Sequence, residues 1–298
     1  YVAQRRRNLF YQYAIGRFMD NKRETEYITM NPDLLKKYDA LRSHLRQLGS
    51  AVVAFSGGVD SSLLAKVCHD VLENRCLAVT IVSPMIPAWD LDDAKTLASQ
   101  IGIEHILIEE QTIDAEIKRN PANRCYFCKK IEFGAIVDMA KERGFHIVVD
   151  GSNADDTKDY RPGAKAIAEL KVMSPLKTAG LNKKEKKLLS KHLGLPTWDK
   201  PAYACLASRI PYGEEITTEK LSRIGKAEKY MHSLGYREVR VRSHGSIARI
   251  ELNPEDRARF CDPSTMDRVS KQLKALGFLY VCLELEGYSM GSLNRNIV

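Results

Sequence analysis

Apolar residues recur at two spacings along this chain, and the switches between them outline its elements. Leu34, Leu35, Tyr38, Leu41, Leu45 and Leu48 keep the rhythm of an amphipathic helix. Asn31-Pro32-Asp33 introduces it, with Asn as N-cap and Pro at the first helical position. Ala51–Phe55 is a short apolar run that reads as a buried strand, and after a Gly-Gly loop Leu63, Leu64, Val67, Val71 and Leu72 mark a helix. A strand at Leu77–Val82, a helix at Leu91–Ile101, a strand at His105–Ile108, a helix near Ile131–Lys141 and a strand at His146–Val149 follow. Strands alternating with helices predict an α/β fold whose parallel sheet is covered on both faces. Ligands of such sheets sit at the carboxyl ends of the strands, where Ser56 and Asp150 fall.

Pro-bearing stretches around Pro175 and between Pro196 and Pro211 flank a Lys-rich helix, Lys183–His192, whose lysines read as a solvated face. Past Pro211 the order becomes helix (Thr218–Leu234), strand (Val239–Arg242), strand (Ile247–Leu252), helix (Thr265–Leu276) and strand (Phe278–Leu285). This is a smaller α+β module, so the expected domains are 30–211 and 212–298, with residues 1–29 an extension outside the core. That extension holds six Lys or Arg against three acids and lacks serine, which argues against an organelle transit peptide and makes Met30 the expected functional start.

Charge and cysteine usage narrow the chemistry. Against 38 Asp and Glu the 298 residues carry 46 Lys and Arg, and the net charge of +8 favours a polyanionic ligand, nucleotide or nucleic acid. No apolar run approaches the ~18 residues of a membrane helix. Seven thinly spread cysteines exclude a disulfide scaffold and indicate a reducing, cytoplasmic compartment.

Ser56-Gly57-Gly58-Val59-Asp60-Ser61-Ser62 lies between the first strand and its helix. Two glycines let backbone N–H groups close around an anion, the helix N-terminus adds its positive end, and Ser56, Ser61 and Ser62 can donate. An aspartate beside a phosphate needs a cation between them, so Asp60 reads as a Mg²⁺ partner. No lysine stands where a Walker A loop requires it, which excludes the ordinary kinase and GTPase readings.

Three other segments carry candidate chemistry. Asp150-Gly151-Ser152-Asn153-Ala154-Asp155-Asp156 opens at the same sheet edge, where carboxylates suit Mg²⁺ or ribose hydroxyls and the nearby Arg161 a phosphate. Cys125 and Cys128 form a lone C-x-x-C pair: half a zinc site, a redox pair or two buried thiols. Adding Cys205 supplies a third thiolate, enough for a [4Fe–4S] cluster with one open iron or for zinc with an open position. In the C-terminal module, alternation puts Arg240 and Arg242 on one strand face, as a phosphate clamp or a solvated edge strand.

The loop resembles the signature of the PP-loop ATP pyrophosphatases. From about Met30 to Asn294 the motifs together, including Cys205–Gly213 and the Gly287–Asn294 ending, resemble the LarE family, ATP-dependent sulfur transferases of nickel-pincer nucleotide biosynthesis. The resemblance implies a PP-loop domain in which ATP adenylates the carboxylates of a pyridinium-3,5-dicarboxylate mononucleotide, releases pyrophosphate and yields thiocarboxylates. It implies ATP contacts from Ser56, Gly57, Gly58, Asp60, Ser61, Ser62, Asp156 and Arg161. Substrate contacts fall to Lys129, Ser208, Arg209, Glu228, Arg240, Arg242 and Glu251, and catalysis to Cys205 with Asp60. One-cysteine members look sacrificial and convert that cysteine to dehydroalanine. The presence of Cys125 and Cys128 beside Cys205 implies instead an oxygen-labile [4Fe–4S] cluster, with zinc the alternative, loaded by a sulfide or persulfide donor. A homo-oligomer without nucleic-acid or membrane partners is expected. Ser246 and Ser289 depart from the pattern, standing where Asp and Arg are usual.

The nearest alternative, a tRNA thiolase, would need an RNA-binding module, and the C-terminal portion has neither aromatic interleaving nor a dense basic stripe. A GMP or NAD synthetase would need an ammonia source that this length does not accommodate. A non-catalytic ATP sensor would leave Asp60 and the three cysteines without a role.

Overall fold

The computed structural model describes residues 31–155, 162–201 and 205–289. From Pro32 onward they belong to one compact unit. Helix α1 (Pro32–Leu48) buries the Leu34, Leu41, Leu45 stripe. Next come β1 (Ala51–Ala54), α2 (Val59–Leu72), β2 (Cys76–Val82), α3 (Ala88–Ile101) and β3 (Glu104–Glu109). A single turn α4 (Ala115–Lys118), the long α5 (Arg124–Glu142) and β4 (Val148–Val149) complete the first sheet region. The four strands are parallel in the order β3-β2-β1-β4. β1 and β2 are apolar along nearly their whole length because helices cover both faces.

The chain winds outward from β1 to β3 and then returns to the other side of β1. This reversal of direction places a crevice at the carboxyl ends of β1 and β4, between the 56–62 loop and the segment opening at Asp150. In this first sheet region β4 and α5 differ from the sequence expectation. β4 has only two residues, and its outer edge is carried on by a parallel bridge between Val149 and Met173. α5 starts seven residues before Ile131, so Cys125 and Cys128 lie in its first turns rather than in a loop. The mixture of thiols, aromatics and lysines there has no apolar stripe to reveal a helix.

Beyond β4 the described elements are α6 (Pro162–Glu169), α7 (Pro175–Thr178) and α8 (Lys183–His192), the last fixed by a reciprocal Asn182–Glu185 capping box. A 3₁₀ turn at Leu206–Arg209 precedes α9 (Thr218–Ser233), β5 (Val239–His244), β6 (Ile247–Leu252), α10 (Pro254–Phe260), α11 (Pro263–Ala275) and β7 (Tyr280–Leu283). α10 went unanticipated because its seven residues bury only Phe260 and carry no periodicity. β5 and β6 are antiparallel around Gly245-Ser246, with Gly245 at φ +57°, and β6 and β7 are parallel. Ser246, one of the two departures from the pattern, therefore occupies a hairpin turn, where its carbonyl accepts from Leu279 N–H at 2.9 Å. Val239, Val241, Ile250, Leu252, Met231, Val269, Leu273 and Phe278 form the core under this second sheet. No helix among the described residues is long and apolar enough to cross a membrane.

Candidate functional site

The phosphate loop leaves β1 at Phe55, whose carbonyl accepts from Thr80 Oγ at 2.5 Å. Thr80 also lies 2.8 Å from His105 Nε2, and burial holds the pKa of that imidazole below its ordinary value. Gly57 has φ +69°, and a Cβ there would stand 3.0 Å from Ala94 of α3, so only glycine lets the chain pass. Ser62 Oγ donates to the Gly58 carbonyl at 2.6 Å, and Ser61 Oγ accepts from Ser56 N–H at 3.2 Å. The Ser56 and Ser61 hydroxyls are 3.1 Å apart. Gly58 caps α2 without a side chain, so the first backbone donors of the helix face the loop as an anion site.

Asp60 lies in the first turn of α2, and its carboxylate is met from two other elements. Asn153 Nδ2 donates to Oδ2 at 3.2 Å, and the Lys186 ammonium pairs with the same oxygen. Gly151 makes this approach possible, since a Cβ there would lie 3.0 Å from Ser61 N and 3.1 Å from Asp60. Asp150 accepts from the Ser152 and Ser174 hydroxyls at 2.5 Å each, so it braces the β4 end of the crevice. Asp156 and Arg161, both expected at ATP, lie outside the described residues.

Lys186 corrects the expectation for its helix. Lys183, Lys184, Lys187 and Lys191 are exposed as a solvated face should be, but Lys186 is 1% exposed. The signal was available: Lys186 shares the i, i+3, i+4 stripe with buried Leu189 and Ser190.

A polar staple joins the two cysteine-bearing segments. Buried Asn120, at φ +54°, donates through Nδ2 to the Pro211 carbonyl at 2.7 Å and accepts from Arg124 Nη1. Arg124 also donates to the Ala207 carbonyl at 3.2 Å and lies over the Tyr212 ring. Leu206 N–H reaches the Met85 carbonyl at 2.9 Å. The start of α5, with Cys125 and Cys128, is thus tied to the segment led by Cys205. Burial first, then Cys205, Glu132 and Cys125, push the Cys128 thiol well up. Cys205 is exposed by area, yet surrounding protein raises its pKa, partly offset by Arg124. Among the described residues no three His, Cys, Asp or Glu side chains are grouped to hold a single metal ion. Three thiolates are the donor set that either a [4Fe–4S] cluster with one open iron or zinc with an open position would use. Sequence reasoning assigned no role to Asn120 or Arg124, although Arg124 directly precedes Cys125.

Lys129, one turn on, pairs with Glu132 at 2.8 Å. Burial works against its charge, but Glu132 outweighs that and holds its pKa above the ordinary lysine range.

The polar residues expected to contact substrate in the C-terminal module lie against the Leu206–Arg209 turn. Arg209 and Glu228 form a buried two-point pair at 2.8 and 2.9 Å, and Glu228 also accepts from Val241 N–H at 2.9 Å. Arg242 and Glu251 form a second, at 3.0 and 2.8 Å, and Arg242 Nη1 donates to the Ser208 carbonyl at 2.7 Å. Ser208 Oγ donates to the Cys205 carbonyl at 2.7 Å. Arg240 lies over the Tyr288 ring, and burial, then Arg209, lowers its pKa. The alternative of a solvated edge strand is thereby excluded: β5 is at the sheet edge, but Arg240 and Arg242 are buried.

Comparison with known proteins supplies the family. The NAD synthase family model matches residues 34–131. A Synechocystis sp. protein, slr1717, is 46% identical across 88% of this chain and 98% of its own length. The pyridinium-3,5-bisthiocarboxylic acid mononucleotide synthase of Lactiplantibacillus plantarum is 39% identical across 89% of this chain and 96% of its own. A tRNA-specific 2-thiouridylase, MnmA of Rickettsia felis, is 29% identical across 62% of this chain.

Proposed function

The chain belongs to the LarE family of ATP-dependent sulfur transferases, and from that premise we propose that it converts pyridinium-3,5-biscarboxylic acid mononucleotide to the bisthiocarboxylate. The 56–62 loop and the N-terminus of α2 hold the ATP phosphates, with Asp60 as the protein's link to Mg²⁺. A carboxylate oxygen is a poor leaving group; its attack on the α-phosphorus of ATP expels pyrophosphate and gives an acyl adenylate, from which a sulfur nucleophile can displace AMP. Sulfur then arrives from the Cys205 side. Cys125, Cys128 and Cys205 would hold a [4Fe–4S] cluster, which supplies an open iron for an exchangeable sulfide; zinc is the competing occupant. The Arg209–Glu228 and Arg242–Glu251 pairs fix the Cys205 segment on the second sheet, and Arg240 is the guanidinium we assign to the mononucleotide phosphate. Seven free thiols suit a reducing, cytoplasmic setting.

One observation carries this reading: a phosphate loop and three thiols stand on one chain, and Asn120 and Arg124 tie the helix bearing Cys125 and Cys128 to the segment led by Cys205. The test is anaerobic. Given ATP, Mg²⁺, a sulfide source and the pyridinium nucleotide, the protein should release pyrophosphate only when that nucleotide is present and form more than one product per chain. Release that requires tRNA would mean a thiolase, and no release would mean an ATP sensor. Product capped at one per chain, with Cys205 appearing as dehydroalanine, would mean sacrificial transfer.

A further inference from the structure

We propose that Lys186 is a positioning residue of the phosphate loop, a resident counter-cation that orients and neutralises Asp60 so that nucleotide can enter before the divalent metal. The proposal rests on the reading of the 56–62 loop as the ATP site.

Four observations carry it. Lys186 is 1% exposed, whereas the other lysines of α8 are exposed. Burying an ammonium is costly, and an apolar side chain at this stripe position would fill the space without that cost, so the charge itself needs a reason. Lys186 Nζ and Asn153 Nδ2 both take Asp60 Oδ2, while among the described residues none is bonded to Oδ1, on a side chain about a third exposed. Holding one oxygen fixes the carboxylate plane and leaves the other for a metal. Finally, α8 is itself anchored by the Asn182–Glu185 capping box and by Lys37, which meets Glu185 at 2.7 Å. The ammonium therefore sits on a rigid element.

The electrostatic consequence is direct. ATP brings several negative charges to a loop that already holds a carboxylate. Without a nearby cation, Asp60 would repel the phosphates until Mg²⁺ arrived, and nucleotide binding would become strictly metal-dependent. With Lys186 in place an ammonium stands against the Asp60 carboxylate, and the backbone donors of α2 act on the anion against less repulsion.

The test measures ATP affinity by calorimetry, with Mg²⁺ and in EDTA, on the full chain. Lys186→Met should weaken metal-free ATP binding roughly tenfold or more, and saturating Mg²⁺ should recover most of that loss. Lys186→Arg, which keeps the charge, should stay near the wild type in EDTA. An equal loss with and without Mg²⁺ would mark a packing defect and overturn the proposal, as would no loss at all. If Lys186→Met does not fold, the decisive comparison is Asp60→Asn against Asp60→Asn/Lys186→Met. The first removes the Asp60 charge and keeps the ammonium, so it should bind metal-free ATP more tightly than the second; equal affinities would refute the role. Should wild-type protein bind no ATP under either condition, the reading of the loop fails instead.

Discussion

Arg242 and Glu251 meet through two hydrogen bonds in a region closed to water, with Glu251 1% exposed. Removing one partner of a buried pair costs about 3–5 kcal/mol where the other charge is stranded; here Arg249, 2.9 Å from Glu251, still meets that carboxylate, so the lower end of that range applies. Arg242→Ala should therefore lower unfolding stability in urea by that order, even though the residue is also a substrate candidate. Arg242→Met/Glu251→Leu should cost much less; a double variant as unstable as the single would mean that the Ser208 carbonyl contact, not the ion pair, dominates. Both types of residue were visible in the sequence, but the pairing was not, because alternation gives the face of a strand and not what covers it. A second residue-scale prediction concerns Cys76, whose thiol burial and then Asp70 push from 9.0 to about 11. The folded pKa lies above the unfolded one, so this stabilising contribution is full below about pH 9 and is lost as pH rises toward 11. A Cys76→Ala variant should flatten the alkaline fall of stability over that window; an unchanged slope would assign it to other groups.

At the scale of elements, the crevice depends on how closely the segment after β4 approaches α2. Gly151 is the contact, with a Cβ predicted to fall 3.0 Å from Ser61 N and 3.1 Å from the Asp60 backbone carbon. Gly151→Ala should push the Asn153 segment away from Asp60 and weaken ATP binding at least tenfold, with a smaller fall in melting temperature. Unchanged ATP affinity would show that the segment yields without moving Asn153. The Asp-Gly block was legible as a motif at the carboxyl end of a strand. Its glycine's purpose was not, since close approach to a helix on another part of the chain leaves no local mark. α8 carries the same lesson, because four of its lysines obey the solvated reading and only the stripe position reveals the fifth.

For the molecule as a whole, the central arrangement is a non-local staple that ties the helix bearing Cys125 and Cys128 to the segment led by Cys205. Anaerobic reconstitution with iron and sulfide should protect Cys125, Cys128 and Cys205 from alkylation and leave exposed Cys261 and Cys282 reactive. Equal labelling of Cys125 and Cys205 before and after reconstitution would remove the cluster from the mechanism. By itself the sequence determined the α/β alternation, the phosphate loop at a strand end, the family and the inventory of thiols, arginines and carboxylates. These are encoded locally, in the spacing of apolar residues and in loops whose glycines and serines have a use within a few positions. Only the tertiary structure decided which groups meet: Asn153 with Asp60 across 93 residues, Arg124 with the Ala207 carbonyl across 83, and Lys186 with the phosphate loop. Such pairings follow from the packing of whole helices and sheets, in which every buried contact of the chain takes part, so no local pattern can carry them.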